Sequence, residues 1–229
     1  MQGEAVKRLP FFYFCSDMNK ELIRYLSTFV TSERLELFDR MLEQRTRYLT
    51  IVLEDVYQPQ NASAVVRTAD CFGLQNIYVV ENENCFTIDK EVALGASKWI
   101  EIKKFNADKN NTERAIAHLR EGGYRIVGTK GKTALFFGTE LTGISGLVRS
   151  EADEFLKIPM YGFTESLNIS VSAGIILHEL THRMRCHPQI DWRLTPDEKA
   201  EIKLDWLRRS IRMSSLIEER FLKNNLTVE

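Results

Sequence analysis

Arg67 is a cation set in an otherwise small and apolar run, NASAVVRTADCFG (residues 61–73), and such a cation has few uses. It can form a structural ion pair with a carboxylate such as Glu54 or Asp55, or it can offer a fixed planar guanidinium to phosphate or ribose. Asn61 opens the same run, where a loop becomes a helix. A second stretch, Ile158 to Glu179 (IPMYGFTESLNISVSAGIILHE), reads as a strand ending at Leu156 and Ile158, a polar loop after Pro159 and Gly162, and a helix capped by Asn168. Ser170, Ser172, Ala173 and Gly174 keep that helix thin. Either a tightly packed core or a ligand site built from amides and carbonyls follows.

Other short patterns invite different chemistry. HELTH, residues 178–182, puts His178 and His182 one helical turn apart with a glutamate between them, the pattern of a zinc protease. RMRCH follows where a glycine and a third histidine would continue that pattern, so the two histidines read as helix-surface residues and a zinc metalloprotease stays a remote alternative. GTKGKT, residues 128–133, echoes a phosphate-binding loop, but Ile126 stands where the first glycine belongs. Gly138, Gly143 and Gly146 follow a strand without the dinucleotide-binding order, and they imply close backbone approach. Cys15, Cys71, Cys85 and Cys186 have no paired metal-ligand spacing and read as reduced thiols.

The elements that must carry these residues follow from periodicity. Strand signals stand at 49–53, 77–80, 100–105, 125–129, 134–137 and 155–158, with helical stretches between them at 61–72 and 112–121. Strands alternating with helices imply an α/β fold with a mostly parallel sheet and helices on both faces. Residues 18–30 and 32–44 read as two amphipathic helices, and Thr195 to about Asn224 as one long helix begun by Thr-Pro-Asp-Glu. The boundaries are 1–46 for an N-terminal helical extension, 47–186 for the main domain and 187–229 for a C-terminal helical extension.

At 229 residues, 44% hydrophobic and 28% charged, the chain can bury one sizeable α/β core. It lacks an apolar run long enough to span a bilayer, and its start has too short an apolar patch for secretion, so a cytoplasmic protein is expected. A net charge of -1 leaves nucleic acid open, because a binding face needs only local positive potential. Arg45 and Arg47, Lys103 and Lys104, Arg183 and Arg185, and Arg208, Arg209 and Arg212 are the candidate clusters, each a solvated face when taken alone.

NASAVVRTADCFG, then FFGTELTGIS (136–145), then IPMYGFTESLNISVSA (158–173) resemble, in that order, the three motifs of the SPOUT class of RNA ribose methyltransferases. The likeness is closest to the TrmH family of tRNA 2′-O-methyltransferases and covers roughly residues 45 to 185. It implies a C-terminal deep trefoil knot, S-adenosyl-L-methionine as methyl donor, no required metal, RNA (tRNA first of all) as partner, and a homodimer. The implied substrate is a guanosine of the tRNA D-loop, with ribosomal RNA ribose or a noncatalytic RNA-binding relative as alternatives.

By matching positions, Thr129, Gly138, Glu140, Ile158, Met160 and Leu167 would line the donor. Arg67, Ser166 and Asn168 would be catalytic, and Asn61 and Arg67 would face RNA. The family's proposal of this arginine as base meets the difficulty that guanidinium has a pKa above about 12, so activating or positioning the hydroxyl is the better description. Two departures from the family pattern stand out. Only Lys130 to Thr133 separate the fourth and fifth strand signals, so that loop is either shortened or incomplete, and His182 and Met184 occupy expected arginine positions, leaving Arg183 and Arg185 as basic surface.

Overall fold

The computed structural model describes residues 11–127, 131–139, 142–164 and 166–226. Two compact units form: one spans Gln44–Arg193, and the other is drawn from both chain ends, up to Glu43 and from Leu194 onward.

In the central unit, β1 (Leu49–Glu54), β2 (Asn76–Val80), β3 (Glu101–Phe105), β4 (Arg125–Ile126) and β5 (Thr133–Phe137) make a five-stranded sheet ordered β3-β2-β1-β5-β4. Every pairing is parallel, with Ile51 level with Ile77 on one side and Leu135 on the other. The runs LTIVLE and NIYVV are buried at every position, as parallel strands covered on both faces must be. β3 lies at an edge and turns Glu101, Lys103 and Lys104 to solvent, charges that discourage pairing with a further strand. The chain lays down β1, β2 and β3 outward, then returns to the far edge for β4 and fills the gap with β5. The order therefore reverses between β1 and β5, and the C-terminal ends of those strands are where a parallel α/β sheet opens a ligand crevice.

Helices position the loops at that end. α3 (Pro59–Cys71) begins at Pro59, whose missing N–H is harmless in a first turn, and buries Ala62, Val65, Val66 and Ala69. α4 (Lys90–Ala93) is short, and α5 (Asn111–Glu121) packs on β2, β3 and β4. After α6 (Gly146–Glu151) the chain reaches α7 (Ile169–Cys186), where the Ser170 N–H donates to the Asn168 cap at 2.8 Å. α7 lies against α3, and its small residues serve that contact: Ala173 is fully buried, and a Cβ on Gly174 would lie 4.0 Å from Thr68 Cγ2.

Three expectations need correction. Residues 155–158 form no strand; they run as irregular extended chain, with Phe155 62% and Leu156 43% exposed. Their apolar character serves a pocket wall, not the sheet. The strand expected at 125–129 is cut short to β4, Arg125–Ile126, because Val127 leaves extended backbone at a φ of 54°.

The third correction lies in the helical unit, which holds α1 (Phe11–Ser27), α2 (Ser32–Leu42), α8 (Pro196–Ser210) and α9 (Ser214–Leu226). The expected single C-terminal helix is two. Ile211 is extended, Met213 takes a φ of 60°, and the Arg208 guanidinium grips Glu218 through Nε to Oε1 and Nη2 to Oε2, both at 2.9 Å, holding α9 against α8. Trp206 and Leu207 are buried, with Trp206 edge-on to Phe38 at 5.4 Å, whereas Leu216 is exposed. Thr195 and Glu198 close the capping box that starts α8. Among the described residues no helix is long and apolar enough to cross a membrane.

Candidate active site

A cleft of about 380 Å³ opens where the switch in strand order predicts it, beyond the end of β5. Its walls come from Phe137, Gly138, Gly143 and Ile144, from the irregular segment at Ile158 and Met160, and from Ser166, Leu167 and Ile176 around the start of α7. The size falls in the range of about 300–1,000 Å³ common for small-molecule sites. The loop after β5 is folded on itself: Thr139 and Gly143 exchange both backbone hydrogen bonds at 3.0 Å. A Cβ on Gly138 would lie 2.0 Å from the Gly143 carbonyl oxygen, so only glycine permits this turn.

The opposite wall is pinned at its start. The Asp153 carboxylate accepts from the Ile126 N–H and from Arg120 Nη1, each at 2.7 Å, and the Asp153 N–H returns a bond to the Ile126 carbonyl at 3.0 Å. Burial pushes the Asp153 carboxyl up, but the Ile126 amide, Arg120 and Arg125 outweigh it and hold the group below its ordinary value. The segment is thus fixed to β4 at one end and to the α7 cap at the other.

Beside the cleft, the first turns of α3 and α7 meet. Asn168 Nδ2 donates to Asn61 Oδ1 at 2.9 Å, and Asn61 Nδ2 donates to Gln58 Oε1 at 3.0 Å. Arg67 is exposed and lines a groove with Thr68, Phe72, Val92, Ser170 and Val171. Among the described residues it has no ion pair, and the two carboxylates named as its candidate partners are engaged elsewhere. Glu54 accepts from Thr112 and Ser145, while Asp55 accepts the backbone N–H groups of Asn82, Glu83 and Asn84.

The structure therefore gathers Gly138, Ile158, Met160, Ser166 and Leu167 around one cleft, and it joins Asn61 to Asn168 with Arg67 in the adjoining groove. Thr129 and Glu140 lie outside the described residues. Sequence reasoning named Glu54 only as a possible partner of Arg67 and missed its place, 2% exposed at the end of β1; the signal was a carboxylate closing the apolar run LTIVLE.

Most of the expected basic surface is committed to internal partners. Arg45 is buried on Asp70 and the Leu74 carbonyl; Arg47 meets Glu101, Lys104 meets Glu81, Arg183 meets Glu179, and Arg209 meets Asp205. Arg185 is a clamp: it donates to the Gln44 side chain and carbonyl at 2.9 Å and stacks over Trp192 at 4.5 Å. In HELTH, His178 sits edge-on to Phe72 at 6.3 Å and His182 lies 3.9 Å from Cys186 Sγ. Among the described residues no three His, Cys, Asp or Glu side chains cluster as metal ligands would.

The family model for the SpoU rRNA methylase family matches residues 48–178, the whole of the sheet, all of α3 and α7 as far as His178. The chain belongs to that family. This SpoU methylase is 41% identical over 210 residues to a tRNA (guanosine(18)-2′-O)-methyltransferase of Borreliella burgdorferi, covering 86% of this chain and 94% of that protein. The crystal structure of the A. aeolicus TrmH/SpoU tRNA modifying enzyme superposes with a TM-score of 0.69 at 28% identity, covering 79% of this chain and 98% of that one. An AdoMet-bound rRNA methyltransferase from Sinorhizobium meliloti superposes with a TM-score of 0.50 at 25% identity, over 65% of this chain and 60% of that one.

The cleft suits such a donor. Apolar walls at Phe137, Ile144, Ile158, Leu167 and Ile176 accommodate a flat base, and a turn that only glycine allows brings backbone to the surface at Gly138 and Gly143.

Proposed function

We propose that this SpoU methylase transfers a methyl group from S-adenosylmethionine to the ribose 2′-oxygen of guanosine 18 in the tRNA D-loop. The observation that carries the reading is the meeting of Asn61 and Asn168 beside the glycine-turned cleft, with Arg67, free of ion pairs among the described residues, in the next groove. The Borreliella burgdorferi relative supports the choice of nucleotide, since the likeness runs through most of both chains.

When bound, the donor supplies an electrophilic methyl group on a positively charged sulfur. The ribose oxygen would take the methyl carbon as the carbon–sulfur bond breaks, the bond's electron pair staying on the departing thioether sulfur and the hydroxyl proton passing to water. No oxyanion persists, so positioning supplies most of the acceleration. Gly138, Ile158, Met160 and Leu167 would hold the donor, joined by Glu140 from the second motif and by Thr129 from the end of the fourth strand signal. Ser166 and Asn168 complete the edge of the pocket facing the ribose. Asn61 and Arg67 receive the RNA, and Arg67 orients the 2′-hydroxyl or an adjacent phosphate through its planar fork of donors. The 2′-hydroxyl is also the group that distinguishes RNA from DNA.

The further properties that go with the family complete the proposal: the C-terminal end of the sheet domain threads a deep trefoil knot, an exception to the rule against knotted chains; the working unit is a cytoplasmic homodimer; and no metal takes part. Mass mapping of ribose methylation in RNA from cells lacking the protein tests the substrate. Loss of the methyl group at guanosine 18 of tRNA is expected; intact tRNA with one ribosomal ribose unmethylated would transfer the proposal to ribosomal RNA.

A further inference from the structure

Glu54 is the last residue of β1, 2% exposed, and among the described residues it has no cationic partner. A carboxylate kept out of water without an ion pair is costly, and the position would accept an apolar residue if packing were its purpose. Its two oxygens instead reach in different directions. Oε1 accepts from the Thr112 hydroxyl at 2.8 Å, and Oε2 accepts from the Ser145 backbone N–H at 2.9 Å.

The partners come from different places at the C-terminal end of the sheet, Thr112 from the first turn of α5 and Ser145 from the end of the loop after β5. The Thr112 oxygen also accepts from Asn82 Nδ2 at 2.9 Å, and the same amide donates to Asp55 Oδ2 at 3.0 Å. Asp55, held at a φ of 51°, gathers the backbone N–H groups of Asn82 and Glu83 on Oδ1. The loops after β1 and β2 and the start of α5 are thereby tied into one unit. Glu54 links that unit to the loop after β5, whose Gly143 and Ile144 line the cleft just before Ser145. The Ser145 hydroxyl is committed to its own helix, accepting from the Val148 N–H at 3.2 Å, so the backbone N–H of Ser145 is the group that reports to Glu54.

We infer that Glu54 is a positioning residue for the methyl donor: through the Ser145 N–H it holds Gly143 and Ile144, just before Ser145, in their donor-binding position. The inference rests on the reading of the cleft as the S-adenosylmethionine site. It concerns donor affinity, and not retention of RNA, because the bond acts on the cleft loop and not on Asn61 or Arg67.

Titration calorimetry of S-adenosylmethionine on the full chain, with filter binding of tRNA alongside, tests it. Ser145 has a φ of −62°, which proline adopts, so Ser145→Pro deletes the N–H, while Ser145→Ala removes the hydroxyl cap and keeps the N–H. Ser145→Pro should raise the donor Kd about tenfold over Ser145→Ala, the loss of one charge-assisted hydrogen bond. In a Glu54→Leu background that difference should vanish, as coupled partners require. Glu54→Gln can accept from Ser145 and donate to Thr112, and should bind donor within about twofold of the original chain, with tRNA retention unchanged in every variant. Equal donor Kd for Ser145→Pro and Ser145→Ala, additive losses in the double variant, or a Glu54→Gln chain as weak as Glu54→Leu would each overturn the inference. An unaltered chain that binds no donor overturns the cleft assignment itself, and the inference with it.

Discussion

Asn168 Nδ2 donates to Asn61 Oδ1 at 2.9 Å, joining the starts of two helices whose linking residues are 107 positions apart in sequence. The same Asn168 side chain caps α7 through Oδ1, accepting from the Ser170 N–H at 2.8 Å and the Ser170 hydroxyl at 2.7 Å. One amide therefore sets the helix start and its registry with α3.

The two duties can be separated. Asn168→Asp keeps an acceptor for the cap but loses the donor to Asn61, so thermal stability should hold while methyl transfer falls about tenfold or more through lost positioning. Asn168→Ala should lose both, with about 1 kcal/mol of stability gone. Melting curves and transfer assays on both variants check this; full activity in Asn168→Asp would remove the Asn61 contact from the mechanism.

Gly138→Ala forces a Cβ to within 2.0 Å of the Gly143 carbonyl oxygen, and that oxygen belongs to backbone, so the loop must open. A cost of about 1–3 kcal/mol in stability is expected, as for other overpacked sites, together with weaker donor binding. Calorimetry of donor binding provides the measurement, and donor affinity equal to the unaltered chain would mean that the turn is not part of the pocket.

Asp153 titrates below its ordinary value of 3.8 in the folded chain, so in acid the unfolded chain binds more protons than the folded one. Its contribution to stability is present above pH 3.8 and is lost as pH falls through the lower folded value. Urea denaturation should therefore show stability dropping as pH falls from about 4 through the lower folded value, and Asp153→Asn should flatten that drop. An unchanged slope in the variant would assign the acid sensitivity to other carboxylates.

His118 is held below its ordinary 6.5, first by burial and then by Lys103, whose Nζ lies 3.2 Å from Nε2; Glu121 and Glu101 oppose both. A depressed folded value means that protonation favours unfolding, so stability falls as pH drops below 6.5 and through the folded value. Lys103→Met should raise the histidine's titration midpoint, read from its ring-proton NMR shifts. A midpoint unmoved by that change would leave burial as the sole cause.

Much of this architecture was legible in the chain because local signals agreed with the tertiary outcome. β1 and β2 announce themselves as unbroken apolar runs, and Asn168 is a helix cap followed by small residues, whereas α3 begins at Pro59, two residues before the expected start at Asn61. Misreadings came where a long-range partner decided. Residues 155–158 look like a strand, but Asp153 on Ile126 and the Asn168 cap direct that segment along the cleft. The break between α8 and α9 has neither proline nor glycine to mark it and depends on Arg208 reaching Glu218. Arg185 counted as surface charge until Gln44 and Trp192 enclosed it, and Glu54 gained meaning only when Ser145, 91 positions away, came within 2.9 Å.

The central claim is methyl transfer to the ribose of guanosine 18 under the control of Arg67. The most direct measurement incubates the full chain and its Arg67→Ala variant with methyl-labelled S-adenosylmethionine and two tRNAs, one ordinary and one carrying 2′-deoxyguanosine at position 18. Label should enter the ordinary tRNA with the unaltered chain alone, while both proteins bind the donor equally and the deoxy tRNA stays unlabelled. Label in the deoxy tRNA, or full turnover by Arg67→Ala, would contradict the account.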